Sequence, residues 1–183
     1  MKRFDDVEPQ NMTPAQQSAF ERIAAPPRNR VAGPFRVWLH RPALVEAIES
    51  LGRKLRYSEA LPTALRELAI LVTARQWNAP YEWYAHEPHA RSAGLSETTI
   101  DAIRRRRRPE DAGTNELVVY DVCTELHTNH VLSDETFTSA VEALGQDSVI
   151  ELVALAGYYA MVAMTLNAFR VPLPDDVTSP FDD

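Results

Sequence analysis

The sequence predicts an all-α protein, a bundle of several helices, and three observations support this prediction. Only six glycines occur in 183 residues, and no segment alternates Val, Ile and Thr as a β-strand would. Apolar side chains instead recur at helical spacing along most of the chain. Several of these segments begin at a proline, which the first turn of a helix accepts because the missing N–H has no intrahelical partner there.

Seven helices are expected in the middle of the chain. Pro42, Pro62 and Pro80 open the first three. Gly94 suits the C-terminal cap of the third, and Ser96 suits the start of the fourth. The other three follow from apolar periodicity between polar ends. The expected bounds are about 42–56, 62–77, 80–93, a helix from 96 through Ile100 and Ile103, 115–130, 134–144 and 147–169.

The length is that of a single domain, with proline-rich segments at both ends. We expect residues 1–40 to form an irregular N-terminal arm with a short helix. Residues 41–172 should form the helical domain, and residues 173–183 a C-terminal tail. The arms are expected to lie over the body of the protein or over a neighbouring subunit.

Charge and cysteine content exclude several classes of protein. The formal net charge is -7, which argues against a nucleic-acid partner. Cys123 is the single cysteine, so an intrachain disulfide, a Cys-x-x-Cys redox pair and a four-cysteine zinc site are all ruled out. The first residues carry basic side chains but no apolar stretch after them, so a cytoplasmic location is expected.

Residues 152–169 carry no charge and are long enough for a membrane span to be considered. Their alanine content, their polar members and the lack of a basic flank fit a buried helix better, either in the core or at a subunit interface. We therefore expect no membrane partner.

Five consecutive arginines at 104–108 resemble a phosphate-binding patch when taken alone. They end a predicted helix, where cations are favourable, and the acidic residues that follow should weaken their field. The run is interpreted as a solvated helix end rather than an anion site.

Glu67 is the first candidate for chemistry, because it begins a helix that is apolar on nearly every side. One interpretation is structural: the carboxylate interacts with the helix dipole or pairs with an arginine such as Arg66 or Arg75. The other is functional, since burial can raise a carboxyl pKa until the group carries protons near neutrality.

In the next helix, Glu82, His86 and His89 are spaced at i, i+4 and i+7 and so share one face. Such a set can transfer protons, and the same three residues could ligate a divalent metal. Pro88 should kink the helix and could move His89 away from the other two. A surface Glu–His pair is the plain alternative. Most aromatic residues here are expected in the core, although one or two could wall a pocket.

This region resembles the carboxymuconolactone decarboxylase and alkylhydroperoxidase D superfamily. The resemblance covers most of residues 61–174 and includes R-E-L-A-I-L at 66–71, Y-E-W-Y-A-H-E at 81–87, A-G-L-S at 93–96 and T-L-N-A-F at the end of the last helix. The peroxidase branch has a glutamate, a Cys-x-x-Cys pair and then a histidine. The matching positions here look like Glu67, Ala79, Glu82 and His86, so both cysteines are absent. Dithiol peroxidase chemistry is thereby disfavoured, because it needs two thiols.

The resemblance implies an alkylhydroperoxidase D-like helical bundle, a homo-oligomer (trimer or hexamer) and a lyase that needs neither cofactor nor metal. We expect decarboxylation of a small carboxylated lactone or a related aromatic-degradation intermediate. His86 would be the proton donor, Glu67 its orienting partner and Glu82 a second acid or base. The expected substrate-binding residues are Tyr81, Trp83 and His89, with Arg66 or Arg75 as candidates for binding an anionic group. The alternatives are a metal-dependent enzyme that uses Glu82, His86 and His89, and a non-catalytic oligomeric binding module.

Overall fold

The computed structural model describes residues 2–181, and this part of the chain contains nine α-helices and no strand. The all-α prediction is therefore confirmed. The helices are α1 (Pro14–Ala24), α2 (Pro34–Trp38), α3 (Pro42–Arg56), α4 (Thr63–Gln76), α5 (Pro80–Ser92), α6 (Glu97–Arg104), α7 (Thr114–Asn129), α8 (Asp134–Leu144) and α9 (Gln146–Phe169).

The seven helices expected in the middle of the chain are all present, with bounds within about one residue of the prediction. Pro42 and Pro80 occupy first-turn positions. The Ser96 side chain accepts a hydrogen bond from the backbone N–H of Thr99, which caps α6. Gly94 follows α5 with a φ of +97°, a conformation that glycine adopts without strain.

The N-terminal segment is more regular than expected. The sequence interpretation treated its prolines as marks of an irregular arm with a short helix, whereas Pro14 and Pro34 begin helices. Thr13 and Gln16 form a capping box at the start of α1. Ile23 and other apolar residues of this segment are buried in the main core, so the segment packs over the body of its own chain. Met1 lies outside the described residues.

α4 is the central helix, because every residue from 65 to 75 is buried. It packs against α5, α7 and α9 on different sides, which explains why its sequence is apolar nearly all round. The few polar residues of α4 are therefore held in a rigid setting, and Glu67 is one of them.

α9 is long and apolar enough to cross a membrane by length and composition alone, and about half of its apolar window is buried inside the chain. Core helices of soluble proteins satisfy the same test. Its buried side packs on α4 and other helices, whereas the outer side exposes apolar residues, among them Ile150, Val153 and Met164.

The C-terminal tail after α9 contains no helix up to residue 181. It nevertheless packs on the body, because the Phe181 ring is buried and meets the Trp83 ring edge-on at a centroid distance of 5.4 Å. The expected tail, 173–183, extends beyond this point, and Asp182 and Asp183 lie outside the described residues.

Candidate active site

Glu67 and His86 meet in the interior of the protein, as the sequence predicted for acidic and imidazole groups of successive helices. Glu67 lies in α4 and His86 in α5, and the Oε2 of Glu67 is 2.7 Å from the Nδ1 of His86. Both side chains are buried. The contact joins residues nineteen positions apart and orients the imidazole ring.

The environment sets the charge of this pair. Burial tends to raise the pKa of Glu67, but the hydrogen bond from His86 and the nearby guanidinium of Arg56 outweigh it and lower that pKa. Burial also lowers the pKa of His86, against the opposing effect of Glu67. At neutral pH the Nδ1–H of a neutral His86 therefore donates to an ionised Glu67. The Nε2 of His86 is left with a free lone pair, and it forms no hydrogen bond to any residue in 2–181.

Glu82 has a very different environment from Glu67. Its side chain is only 2% exposed, and neither carboxyl oxygen has a hydrogen-bond partner among the described residues. Burial raises its pKa well above the ordinary value. Its position in the first turn of α5 favours the anion, but by only about 0.3–2 kcal/mol, which is less than the cost of burying an unpaired carboxylate. Burial without a partner therefore favours the neutral carboxylic acid form of Glu82.

The three groups line one cavity of about 770 Å³, a size that suits a small ligand. Its walls come from α3, α4, α5 and α9 and from residues 27–35, which connect α1 to α2 and begin α2. A carboxylic acid, an imidazole and a carboxylate thus line the same partly enclosed space. This combination can donate and accept protons within one bound ligand.

Two of the three predicted substrate-binding residues, Tyr81 and His89, line the cavity. α5 continues through Pro88, and the rings of His86 and His89 stay close, with centroids 6.1 Å apart. Trp83 is absent from the lining. It is fully buried against Phe181, with the guanidinium of Arg104 over its ring, so its prediction as a substrate-binding residue is corrected to a core role.

The structure does not assemble the metal site that Glu82, His86 and His89 could have formed. Within residues 2–181, no three His, Cys, Asp or Glu side chains are arranged to hold a metal ion. The Nδ1 of His86 is already engaged by Glu67, and Glu82 is the neutral form, which is a poor ligand.

Several cavity residues were missed in the sequence. Tyr158 and Tyr159 of α9 face the cavity, and the Tyr159 ring stands edge-on to His86 at a centroid distance of 5.1 Å. Two adjacent tyrosines in the uncharged stretch 152–169 were a signal that could have found them. Three arginines of the lining were also missed, because no sequence motif marks them: Arg28, Arg30 and Arg56.

The two arginines that the sequence suggested for an anionic group differ in position. Arg66 lines the cavity, and it donates to the carbonyl of Ser58 at 2.7 Å and to the hydroxyl of Thr63 at 3.0 Å. Arg75 is not part of the lining. Its guanidinium donates to the carbonyl of Arg104 and lies 4.5 Å from the centroid of the Phe181 ring.

Two glycines allow tyrosines to approach the backbone at the edges of the cavity. A Cβ at Gly52 would overlap the Tyr158 hydroxyl and lie 2.6 Å from Cζ of that ring. A Cβ at Gly33 would come within 2.8 Å of the Tyr81 ring, and the φ of Gly33 is +57°. The cavity walls therefore depend on these two positions having no side chain.

Comparisons with known proteins concern the family and the fold. Residues 42–129 match the model of the carboxymuconolactone decarboxylase family. Over nearly the whole chain, the fold matches a peroxidase-related protein with an alkylhydroperoxidase AhpD core from Ralstonia eutropha JMP134 (TM-score 0.77, 14% identity, 96% of this chain and 93% of that one). The family model thus matches nearly half of the chain, and the structural likeness shows an alkylhydroperoxidase D-like fold.

Two further solved structures have a similar fold. A peroxidase-related protein from Silicibacter sp. TM1040 has a TM-score of 0.76 at 12% identity and covers 96% of this chain and 93% of its own. A protein of unknown function from Agrobacterium tumefaciens has a TM-score of 0.65 at 15% identity and covers 79% of this chain and all of its own. The predicted alkylhydroperoxidase D-like bundle is confirmed. A comparison with curated proteins gives no match.

Cys123 offers no thiol to the site. It lies in α7, fully buried in the core, and does not line the cavity. Burial raises the pKa of its thiol to about 12, so the reactive thiolate is scarce at neutral pH. The residues that face the cavity can carry protons but not the electrons of a dithiol.

Proposed function

We propose that this protein is a cofactor-independent lyase that decarboxylates a small carboxylated lactone or a related acid by proton transfer. The family match and the absence of a thiol at the site support chemistry of this class. The cavity is large enough for a single-ring acid, and all three proton-carrying groups line it.

One observation carries the proposal: Glu82 is a buried carboxyl group without a hydrogen-bond partner among the described residues, and it lines the cavity. An unpaired buried polar group is costly to the fold, so it needs a reason. A ligand that accepts a hydrogen bond or a proton from Glu82 supplies that reason. Glu67 differs, because its charge is already held by His86.

In the proposed reaction the bond between the ring carbon and the carboxylate breaks, and carbon dioxide leaves. The electron pair moves into the ring and its carbonyl group, and Glu82 donates the proton that completes the product. One proton is consumed in each turnover, so Glu82 must be reprotonated. His86 lies one helical turn beyond Glu82, and its free Nε2 can take a proton from solvent and pass it on.

This assignment exchanges two roles of the sequence-based hypothesis. His86 was expected to be the proton donor and Glu82 a second acid or base. A neutral His86 with its Nδ1–H given to Glu67 has no proton to donate from Nε2, whereas Glu82 has one. Glu67 keeps its expected role, because it holds the ring and would stabilise the imidazolium while His86 carries a proton.

We also propose that the protein self-associates through α9, as the superfamily resemblance suggested. The exposed apolar side chains of that helix, among them Ile150, Val153 and Met164, support this.

Turnover of a panel of small lactone acids, measured as carbon dioxide release, tests the proposed reaction. We expect E82Q and H86Q to lower kcat by about 10² to 10⁴, because each removes a step of proton transfer. E67Q should lower it less, because it only weakens the orientation of His86. E97Q is the matched control, since Glu97 is an exposed glutamate at the start of α6 and should leave the rate unchanged.

Unchanged rates in E82Q and H86Q would remove these residues from the mechanism. If the wild-type protein binds lactone acids in the cavity but releases no carbon dioxide from any of them, the site is a non-catalytic binding module and the proposed reaction is wrong.

A further inference from the structure

Four arginines line the cavity, namely Arg28, Arg30, Arg56 and Arg66. None of them forms an ion pair with a carboxylate anywhere in residues 2–181. Most other arginines of the described chain have such a partner. The positive charge of these four side chains is therefore not neutralised by direct pairing. Of the two carboxyl groups that line the same cavity, Glu67 and Glu82, burial favours the neutral form of Glu82.

Arg28 is the most informative member of this set. It lies between α1 and α2, and its guanidinium stacks on the Phe35 ring at 4.2 Å from the centroid. Its Nε is buried and has no hydrogen-bond partner among the described residues. The stacking fixes the plane of the guanidinium without using its N–H donors, which leaves them for a ligand.

Tyr158 connects this basic side of the cavity with the acid. Burial raises the pKa of Tyr158 to about 12, and the charges of Arg28 and Arg56 oppose that rise. Arg28, Arg56, Tyr158 and Glu82 all line the same cavity.

Arg28 also lies outside the part of the chain that matches the family model. That segment, residues 42–129, contains Glu67, Glu82 and His86. Residues 27–35 also form a wall of the cavity, but they lie outside this matched segment. The groups for proton transfer and the wall that carries Arg28 thus belong to different parts of the chain.

We propose that Arg28 binds the anionic group of a carboxylate ligand in this cavity, and that Arg56 and Arg66 complete the pocket for that charge. This inference rests on the proposed function, and it names Arg28 as the residue that selects acids over neutral ligands. The planar guanidinium can donate two parallel hydrogen bonds to a carboxylate, which a neutral ligand cannot accept with equal strength. The segment between α1 and α2 then selects acids, whereas α4 and α5 carry out the chemistry.

Binding of two matched probes tests the role of Arg28, by isothermal titration of the full-length protein. The probes are 5-oxotetrahydrofuran-2-carboxylate and its methyl ester, which differ in charge and little in shape. We expect the wild-type protein to prefer the carboxylate. R28Q should weaken carboxylate binding about 10-fold or more and leave ester binding within about 2-fold, as for loss of a hydrogen bond to a charged group. R107Q, an exposed arginine of the 104–108 run, should change neither affinity.

Equal weakening by R28Q and R107Q would mean that only overall charge matters and would overturn the proposal, as would an unchanged carboxylate affinity in R28Q or no preference for the carboxylate in the wild-type protein. Circular dichroism and the Tm establish that each variant is folded. If R28Q does not fold, R28K replaces it, and an unchanged carboxylate affinity in R28K likewise overturns the proposal.

The two proposals can fail separately. E82Q should lose turnover while it keeps the preference for the carboxylate, because Glu82 is not the anion-binding group. R28Q should lose the preference even if no probe is decarboxylated.

Discussion

The arginines at 104–108 and those around the cavity have opposite environments. In the run, Arg104 pairs with Glu87 and Asp101, Arg105 and Arg107 pair with Asp101, and Arg108 pairs with Asp121. Arg106 donates to the Asn78 side chain at 2.7 Å. The cavity arginines are scattered in sequence and have no carboxylate partner in residues 2–181.

The difference shows that clustering in sequence is a poor guide to function for charged residues. Five adjacent arginines at a helix end meet acidic side chains of their own surface, and water screens what remains of their field. Four arginines from three segments converge on a partly enclosed space, where the same charges act over longer distances. The conspicuous group is structural and solvated, as the sequence interpretation held, and the inconspicuous group faces the site.

The largest expected effect concerns the pH dependence of stability in E82Q, which sharpens the contrast between a cavity carboxyl and a surface one. The folded-state pKa of Glu82 is raised well above 4.5. The contribution of Glu82 to the free energy of unfolding is therefore greatest below pH 4.5, and it decreases as the pH rises towards the folded-state pKa. The wild-type protein should therefore lose about 1.4 kcal/mol per pH unit relative to E82Q in that window. Urea unfolding of both proteins at pH 5, 6 and 7 measures this slope.

E97Q is the control for that experiment. The hydrogen bond from Arg91 lowers the pKa of Glu97, so any contribution of this exposed group is complete above pH 4.5 and is lost only at lower pH. The difference between E97Q and the wild-type protein should be constant from pH 5 to 7. A constant difference for E82Q as well would show that Glu82 is ionised in the folded protein.

A smaller effect on the free energy of unfolding is expected when a glycine is replaced by alanine. The replacement compares the packing at the cavity with the packing near the arginine run. G52A places a Cβ against the Tyr158 ring in the cavity wall. Overpacking costs about 1–3 kcal/mol and exceeds the roughly 1 kcal/mol by which alanine is favoured in a helix. We expect a net loss of about 1–2 kcal/mol in the free energy of unfolding, with weaker binding of the lactone carboxylate probe.

G113A is the matched variant near the arginine run. No atom lies within 4 Å of a Cβ at Gly113, and its φ of -65° is accessible to alanine. Its cost should stay below about 1 kcal/mol, the scale of a changed N-cap residue. If G52A were as mild as G113A, the cavity wall would be plastic and Tyr158 would not be held by α3.

The smallest effect is expected from R108Q in the run itself. Arg108 donates to both carboxylate oxygens of Asp121 at 2.8 Å, but each side chain is about two-fifths exposed. Exposed pairs contribute about 0.2–1 kcal/mol, and added salt should reduce that contribution further. Unfolding in low and in 1 M sodium chloride measures it. A loss above about 2 kcal/mol would contradict the view that the run is a solvated helix end.

Much of the fold could be predicted because its signals are local. Pro42, Ser96 and Gly94 mark helix ends by backbone chemistry that depends on few neighbours, and the bounds agree closely with the structure. The same kind of signal was misread at Pro14 and Pro34. A proline at a helix start and a proline in an irregular segment look alike until the packing of the following residues is known.

The site was predictable in part for the same reason. Glu82 and His86 lie on one face of α5 by spacing alone, whereas their pairing with other groups depends on neighbouring helices. His86 meets Glu67, as the resemblance implied, whereas Trp83 turns into the core beside Phe181. Spacing along one helix cannot reveal which face an adjacent element covers.

The sequence by itself determined the helical architecture, the lack of a dithiol and the set of acidic and imidazole groups, because periodicity, capping and composition are properties of neighbouring residues. Only the tertiary structure decided which glutamate keeps its proton and which arginines face the cavity. Those outcomes depend on burial and on charges from distant segments such as Arg28 and Arg56, and electrostatic energies change steeply with distance and with exclusion of water.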